Sequence, residues 1–181
     1  MVDMTLYHYQ KTLNLSYHTC IYLKDTDNIS TFTNRNQKSI NIMSFNANSI
    51  WAKLDGLKLQ LDLFEKLNHR VHIISAQEAW LNDNNNIKLL DIEHYTTFTQ
   101  INQIGGHKGG IVVYVHNSLT ATKENSFLPS KRHLWEGLSL KIEGDLLPST
   151  TTIHTVYRPP REKSGKDAIQ HACENHNDFM T

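Results

Sequence analysis

The sequence predicts an α/β fold built on a mixed sheet, on three observations. Short alternating apolar segments recur from residue 40 onward. One strongly amphipathic stretch separates the first two of them. From residue 95 the strand-like segments follow one another without a helix between, which implies mixed or antiparallel pairing there. With 181 residues, 39% of them hydrophobic, the chain suits one domain with a real core.

The elements follow in order. Residues 1–39 are interrupted by Asn14, Asn28, Asn34, Asn36 and many threonines, which predicts a poorly ordered or loosely attached segment. Within it, Cys20-Ile21-Tyr22-Leu23 could form a stray strand. Ile40 to Phe45 alternates and reads as a strand. Trp51 to Leu67 places Leu54, Leu57, Leu61 and Phe64 at helical spacing, with Leu63 and Leu67 widening the stripe. Val71 to Ser75 is the next strand, and strand–helix–strand with short links implies a parallel βαβ unit. Asn82 to Asn86 reads as a loop, Tyr95 to Phe98 as a short strand, Gly105 to Gly110 as a turn and Ile111 to Val115 as a strand. Leu134 to Ile142 and Thr150 to Tyr157 are β-rich, the latter ended by Pro159-Pro160. Residues 161–181 form a polar tail with weak helical character around Ala168 to Ala172.

Composition excludes several classes. Lys plus Arg equals Asp plus Glu at 18 each, so bulk charge does not make this a histone-like binder of nucleic acid. Residues 40–160 balance as well, with 11 basic and 11 acidic side chains, so no large field surrounds Lys108, Lys131 or Arg132. No apolar run approaches a membrane span, and the first ten residues do not resemble a signal peptide, so no membrane partner is expected. Cys20 and Cys173, far apart in sequence, argue against a disulfide scaffold or disulfide-linked partner and fit an intracellular, reducing compartment.

A βαβ unit brings the carboxyl ends of both strands to one sheet edge, where ligands of open α/β sheets bind. The residues leaving those ends are Asn46-Ala47-Asn48 and Gln77-Glu78. A carboxylate flanked by amides is a hard, oxygen-rich set that suits Mg²⁺. Read from spacing alone, Glu78 is more simply a solvated loop carboxylate and Asn46 a turn former.

The string Ile42 to Ile50 (IMSFNANSI) resembles the first motif of the endonuclease/exonuclease/phosphatase superfamily, and Ser75 to Leu81 (SAQEAWL) resembles its second. Gly109 to Val115 (GGIVVYV) and Val156 to Pro160 (VYRPP) complete the pattern in the same order. The last form, with Glu-Ala-Trp-Leu, resembles the apurinic-type endonuclease domain of non-LTR retrotransposons in particular. The resemblance covers residues 40–160 and implies part of a four-layer α/β sandwich that hydrolyses phosphodiesters of DNA with Mg²⁺ or Mn²⁺. It implies Glu78 as principal metal ligand, Asn46 as a metal-binding and orienting residue, and Tyr157 beside the scissile phosphate. Asn48 is implied as a substrate contact, and Arg158 is read as another because it adjoins Tyr157. In such sites the metal neutralises charge on phosphate oxygens while a base activates water. A functional member would act in the nucleus.

The family's later segments, Gly-Asp-Phe-Asn and a terminal Ser-Asp-His, have no match; Asn177-Asp178-Phe179 is only superficially similar. The expectation is therefore a truncated domain supplying roughly the first sheet and its helices, with the C-terminal half missing and an apolar face or edge left without its partner. The alternative is a non-catalytic remnant with weak metal or nucleic-acid binding. A phosphatase acting on inositol lipids or sphingomyelin is disfavoured by the Tyr157 to Pro160 form. His171-Ala172-Cys173 with His176 lacks a fourth zinc ligand. His72 reads as a surface or satisfied strand histidine, and Trp51, Trp80 and Trp135 as core or rim residues.

Overall fold

A computed structural model describes residues 4–10, 17–23, 39–81, 87–101, 109–127, 136–147 and 149–158. The elements are β1 (Met4–Gln10), β2 (Tyr17–Leu23), β3 (Ser39–Asn46), α1 (Leu54–Lys66), β4 (Ile73–Gln77), β5 (Tyr95–Gln100), β6 (Ile111–His116), β7 (Thr120–Phe127), β8 (Glu136–Glu143) and β9 (Thr151–Tyr157). A 3₁₀ turn, Ile87–Leu90, lies between β4 and β5. The content is mixed α/β, in two sheets.

The first sheet runs β2-β1-β3-β4-β6-β5. β3 and β4 are parallel, with Ile42 opposite Ile73 and Asn46 opposite Gln77, so the unit inferred from strand–helix–strand order is present. The other pairings in the sheet are antiparallel. The second sheet is the antiparallel meander β7-β8-β9.

Alternation divides the first sheet's side chains between two cores. Met43, Phe45, Ile74, Ala76, Val112 and Tyr114 pack with Leu54, Leu57, Leu61 and Phe64 of α1. Ile40, Ile73, Ile111, Val113 and Val115 face the other way and pack against Leu138, Leu140 and Ile142 of β8. The central strands therefore read as continuous apolar runs, because both of their faces are covered. A polar bond crosses the gap between the sheets: the Ser75 hydroxyl donates to Thr155 Oγ1 at 3.0 Å while accepting from Gln77 Nε2 at 2.7 Å. Ser75→Ala removes both interactions from a buried position, and an unmet buried polar group costs about 1–3 kcal/mol. The variant is expected to unfold at correspondingly lower urea concentration, with an unchanged slope.

Four features stand out beside the sequence reading. First, the described residues before β3 include β1, which pairs with β3 along its whole length, and β2, into which the strand read at Cys20 to Leu23 falls. The Tyr, Thr and Ile content of these runs suits a pleated strand despite the polar residues around them. Second, the inner face of the first sheet is not left without its partner, because β7, β8 and β9 cover it. The strands after residue 95 pair antiparallel, within the expectation, and are divided between the two sheets. Third, β7 (TATKENSF) went unread because it is polar; at the edge of its sheet it needs little apolar surface. Fourth, Leu63 and Leu67 do not widen the buried stripe of α1: they are 45% and 51% exposed, as the geometry of a single packed face requires.

The loop at 82–86, most of the Gly105 to Gly110 turn, Lys108, Lys131, Arg132, Trp135, Cys173, the His171–His176 cluster and the polar tail at 161–181 lie outside the described residues. Trp51 is partly buried against the helix-side core, as a rim residue. Among the described residues no helix is long and apolar enough to cross a membrane.

Candidate functional site

Because β3 and β4 are parallel neighbours, Asn46 and Glu78 leave the same edge of the first sheet. The loops that follow are tied together by backbone bonds. Ala47 N–H donates to the Gln77 carbonyl at 2.7 Å, Ser49 N–H to Glu78 at 2.9 Å and Ile50 N–H to Ala79 at 3.2 Å. These bonds hold four non-glycine residues at positive φ: Asn48 at 44°, Ser49 at 83°, Glu78 at 52° and Trp80 at 56°. Such conformations persist only where the surroundings over-determine them, and they cluster at functional sites.

Positive φ at Glu78 has a consequence for its side chain. Ser75 and Gln77 point toward the second sheet, so strict alternation would send residue 78 to the helix side. The left-handed backbone ends the alternation, and the Glu78 carboxylate reaches the second sheet, where Oε1 accepts a hydrogen bond from the Tyr157 hydroxyl at 2.6 Å. Burial raises the Tyr157 pKa, and the hydrogen bond and charge of Glu78 and the charge of Glu136 raise it further, so the phenol stays protonated and donating at physiological pH.

Asn46 is exposed at the end of β3, and its Oδ1 accepts the backbone N–H of Asn48 at 3.0 Å, an Asx turn. Asn48 is exposed in that turn. Beneath the edge, Gln77 Nε2 donates to Ser44 Oγ at 3.1 Å and to Ser75 Oγ, which bridges β3 and β4 one layer down. Arg158 follows Tyr157 at the end of β9 and is exposed.

Glu136 is the residue that sequence reading did not single out. It opens β8, lies opposite Tyr157, and accepts the Gly110 N–H on Oε2 at 2.5 Å. The signal available in the sequence was its spacing: Glu136, Leu138, Leu140 and Ile142 share one strand face, so a carboxylate ends an otherwise apolar inner row.

The donor set is chemically compatible with a hard dication. A carboxylate offers about four lone-pair sites and an amide oxygen two, so Glu78 and Asn46 each retain acceptor capacity beyond the bonds described. Among the described residues no three His, Cys, Asp or Glu side chains group as a metal site. Mg²⁺ is the ion for which few protein ligands suffice, because it keeps several waters. Compared with protein-family models and with curated proteins, the sequence matches none.

Proposed function

We propose that the chain is the N-terminal part of a divalent-metal-dependent phosphodiester hydrolase domain of the endonuclease/exonuclease/phosphatase type. Its pattern is nearest the endonucleases of non-LTR retrotransposons, with DNA as polymer and Mg²⁺ or Mn²⁺ as ion. The helix, the six-stranded sheet and the three-stranded sheet then correspond to three layers of that family's four-layer sandwich. The observation that carries the reading is the bond between the Tyr157 hydroxyl and the Glu78 carboxylate. It joins two motifs 79 residues apart, drawn from different sheets, that the resemblance singled out for one site.

On this reading Glu78 and Asn46 hold the ion, which supplies charge neutralisation at a phosphate oxygen. Tyr157, kept protonated, donates its one hydroxyl hydrogen to Glu78 and so orients the carboxylate. Asn48, exposed in the loop after β3, and Arg158, exposed after β9, would meet the polymer backbone. A second reading, a binding remnant without catalysis, is favoured by the lack of the family's later Asp and His segments in these 181 residues. Groups that act as a unit lose many orders of magnitude when members are missing.

Plasmid nicking in Mg²⁺ and in Mn²⁺, wild type against Glu78→Ala, tests the proposal. Nicking above background that falls to background in the variant supports the hydrolase. Binding of Mn²⁺ that depends on Glu78, without nicking, supports the remnant. Neither binding nor nicking removes both.

A further inference from the structure

We infer that Glu136 is a positioning residue for Glu78, acting through the backbone of Gly109 and Gly110. The chain of contacts is short. Glu136 Oε2 accepts the Gly110 N–H at 2.5 Å, a charge-assisted bond. The carbonyl of Gly110 accepts the N–H of Ala79 at 3.0 Å, and the carbonyl of Gly109 accepts the N–H of Trp80 at 2.6 Å. Ala79 and Trp80 are the two residues immediately after Glu78.

The turn needs this outside hold. Glu78 and Trp80 both sit at positive φ, where an L residue is disfavoured by about 1–2 kcal/mol. The two glycines that brace them are themselves at φ 96° and 81°, and glycine loses more conformational freedom on ordering than any other residue. The approach is close as well: a Cβ at Gly110 would lie 3.1 Å from the Leu81 nitrogen. A glycine pair ordered this tightly against a strained turn requires an anchor, and the carboxylate of Glu136, from the other sheet, is in place to be one.

Register adds the second half. Glu136 and Tyr157 are paired across β8 and β9. One holds the turn's backbone through Gly110, and the other holds the Glu78 carboxylate directly. Two neighbouring residues of the second sheet thereby fix both backbone and side chain of a single residue of the first. That Glu78 binds an ion rests on the function proposed above; that Glu136 orders its turn does not.

The test uses three substitutions in the full chain, read by amide hydrogen exchange and by Mn²⁺ titration. Glu136→Gln keeps an acceptor oxygen at the same reach, Glu136→Asp keeps the charge but shortens the arm, and Glu136→Ala removes both. Exchange at Ala79 and Trp80 is expected to rise at least about 10-fold in the Asp and Ala variants and to stay within about 3-fold in the Gln variant, with the β3–β4 ladder amides unchanged. Mn²⁺ affinity is expected to fall in the same order. Wild-type exchange at Ala79 and Trp80 in the Asp and Ala variants overturns the inference. So does a Gln variant that behaves as the Ala variant, or a uniform rise across the ladder, which reports global destabilisation. Should Glu136→Ala fail to fold, the contrast between Asp and Gln decides. Should wild type bind no Mn²⁺, the proposed function fails while the exchange pattern still judges the role of Glu136.

Discussion

Mn²⁺ affinity is expected to fall at least about 100-fold in Glu78→Ala and about 10-fold in Tyr157→Phe. The two numbers differ for a physical reason. Removing Glu78 removes the only carboxylate among the two proposed ligands, and an amide oxygen alone competes poorly with water for a hard dication. Removing the Tyr157 hydroxyl leaves the carboxylate but frees it to rotate, and loss of an outer partner of this kind typically costs about 10–100-fold. The bond lost is short, 2.6 Å, and its donor is protonated throughout the accessible range. Asn46→Ala belongs between them, because it also dissolves the Asx turn that shapes the loop to Asn48. Calorimetric or paramagnetic titration of the four proteins gives the ranking. If Glu78→Ala binds Mn²⁺ as wild type does, the ion is not held at this edge. If Tyr157→Phe weakens binding as much as Glu78→Ala, the phenol is a direct partner of the ion and not an orienting group.

That Asn46 and Glu78 leave one sheet edge was legible in the amino-acid sequence, and the physical reason is the parallel pair. Strand–helix–strand with short links leaves few topologies, and each of them sends Asn46 and Gln77-Glu78 to a common edge. What periodicity could not give is how Glu78 points, since that depends on a left-handed backbone at Glu78 itself, an ordinary-looking glutamate in the sequence. Glu136 was missed because its partner is a backbone N–H, which leaves no mark on composition. The second sheet was underestimated for a related reason. β8 and β9 both read as strands, but their neighbour β7 is polar, and alternation does not say whether such strands extend the first sheet or build a second. Leu63 and Leu67 mislead in the opposite sense: they are apolar, at helical spacing and exposed, while the buried face is set by Leu54, Leu57, Leu61 and Phe64. Satellite leucines on a helix give a pattern its width without adding to its core.

At the other end of the same strand pair, stability is expected to fall by about 2–3 kcal/mol between about pH 7.5 and about pH 4.5 because of one histidine. His72 is buried, and its Nδ1 accepts the backbone N–H of Asn41 at 3.0 Å. Its own N–H donates to the Asn41 carbonyl at 2.9 Å, and its carbonyl accepts from His116 N–H at 2.8 Å, so the residue cannot leave without opening β3, β4 and β6. Burial is the main cause that lowers its pKa to about 4; the positive charges of His116 and Arg70 lower it further, and Glu65 opposes them. Protonation at Nδ1 would also turn an acceptor toward an N–H into a donor facing a donor. The folded state therefore keeps His72 neutral down to about pH 4, whereas the unfolded chain takes up its proton near 6.5. The contribution is fully present above the unfolded value and is lost as pH falls from 6.5 toward 4, where the unfolded state binds the extra proton. His116, lowered in the same direction by burial, adds to the trend, so the assignment needs a variant. His72→Asn offers an amide oxygen near the position of Nδ1 and has no proton to gain. Urea unfolding of both proteins at the two pH values should show a smaller acid loss in the variant by most of the stated amount. Equal losses would move the acid sensitivity elsewhere and make the buried imidazole a passive packing group.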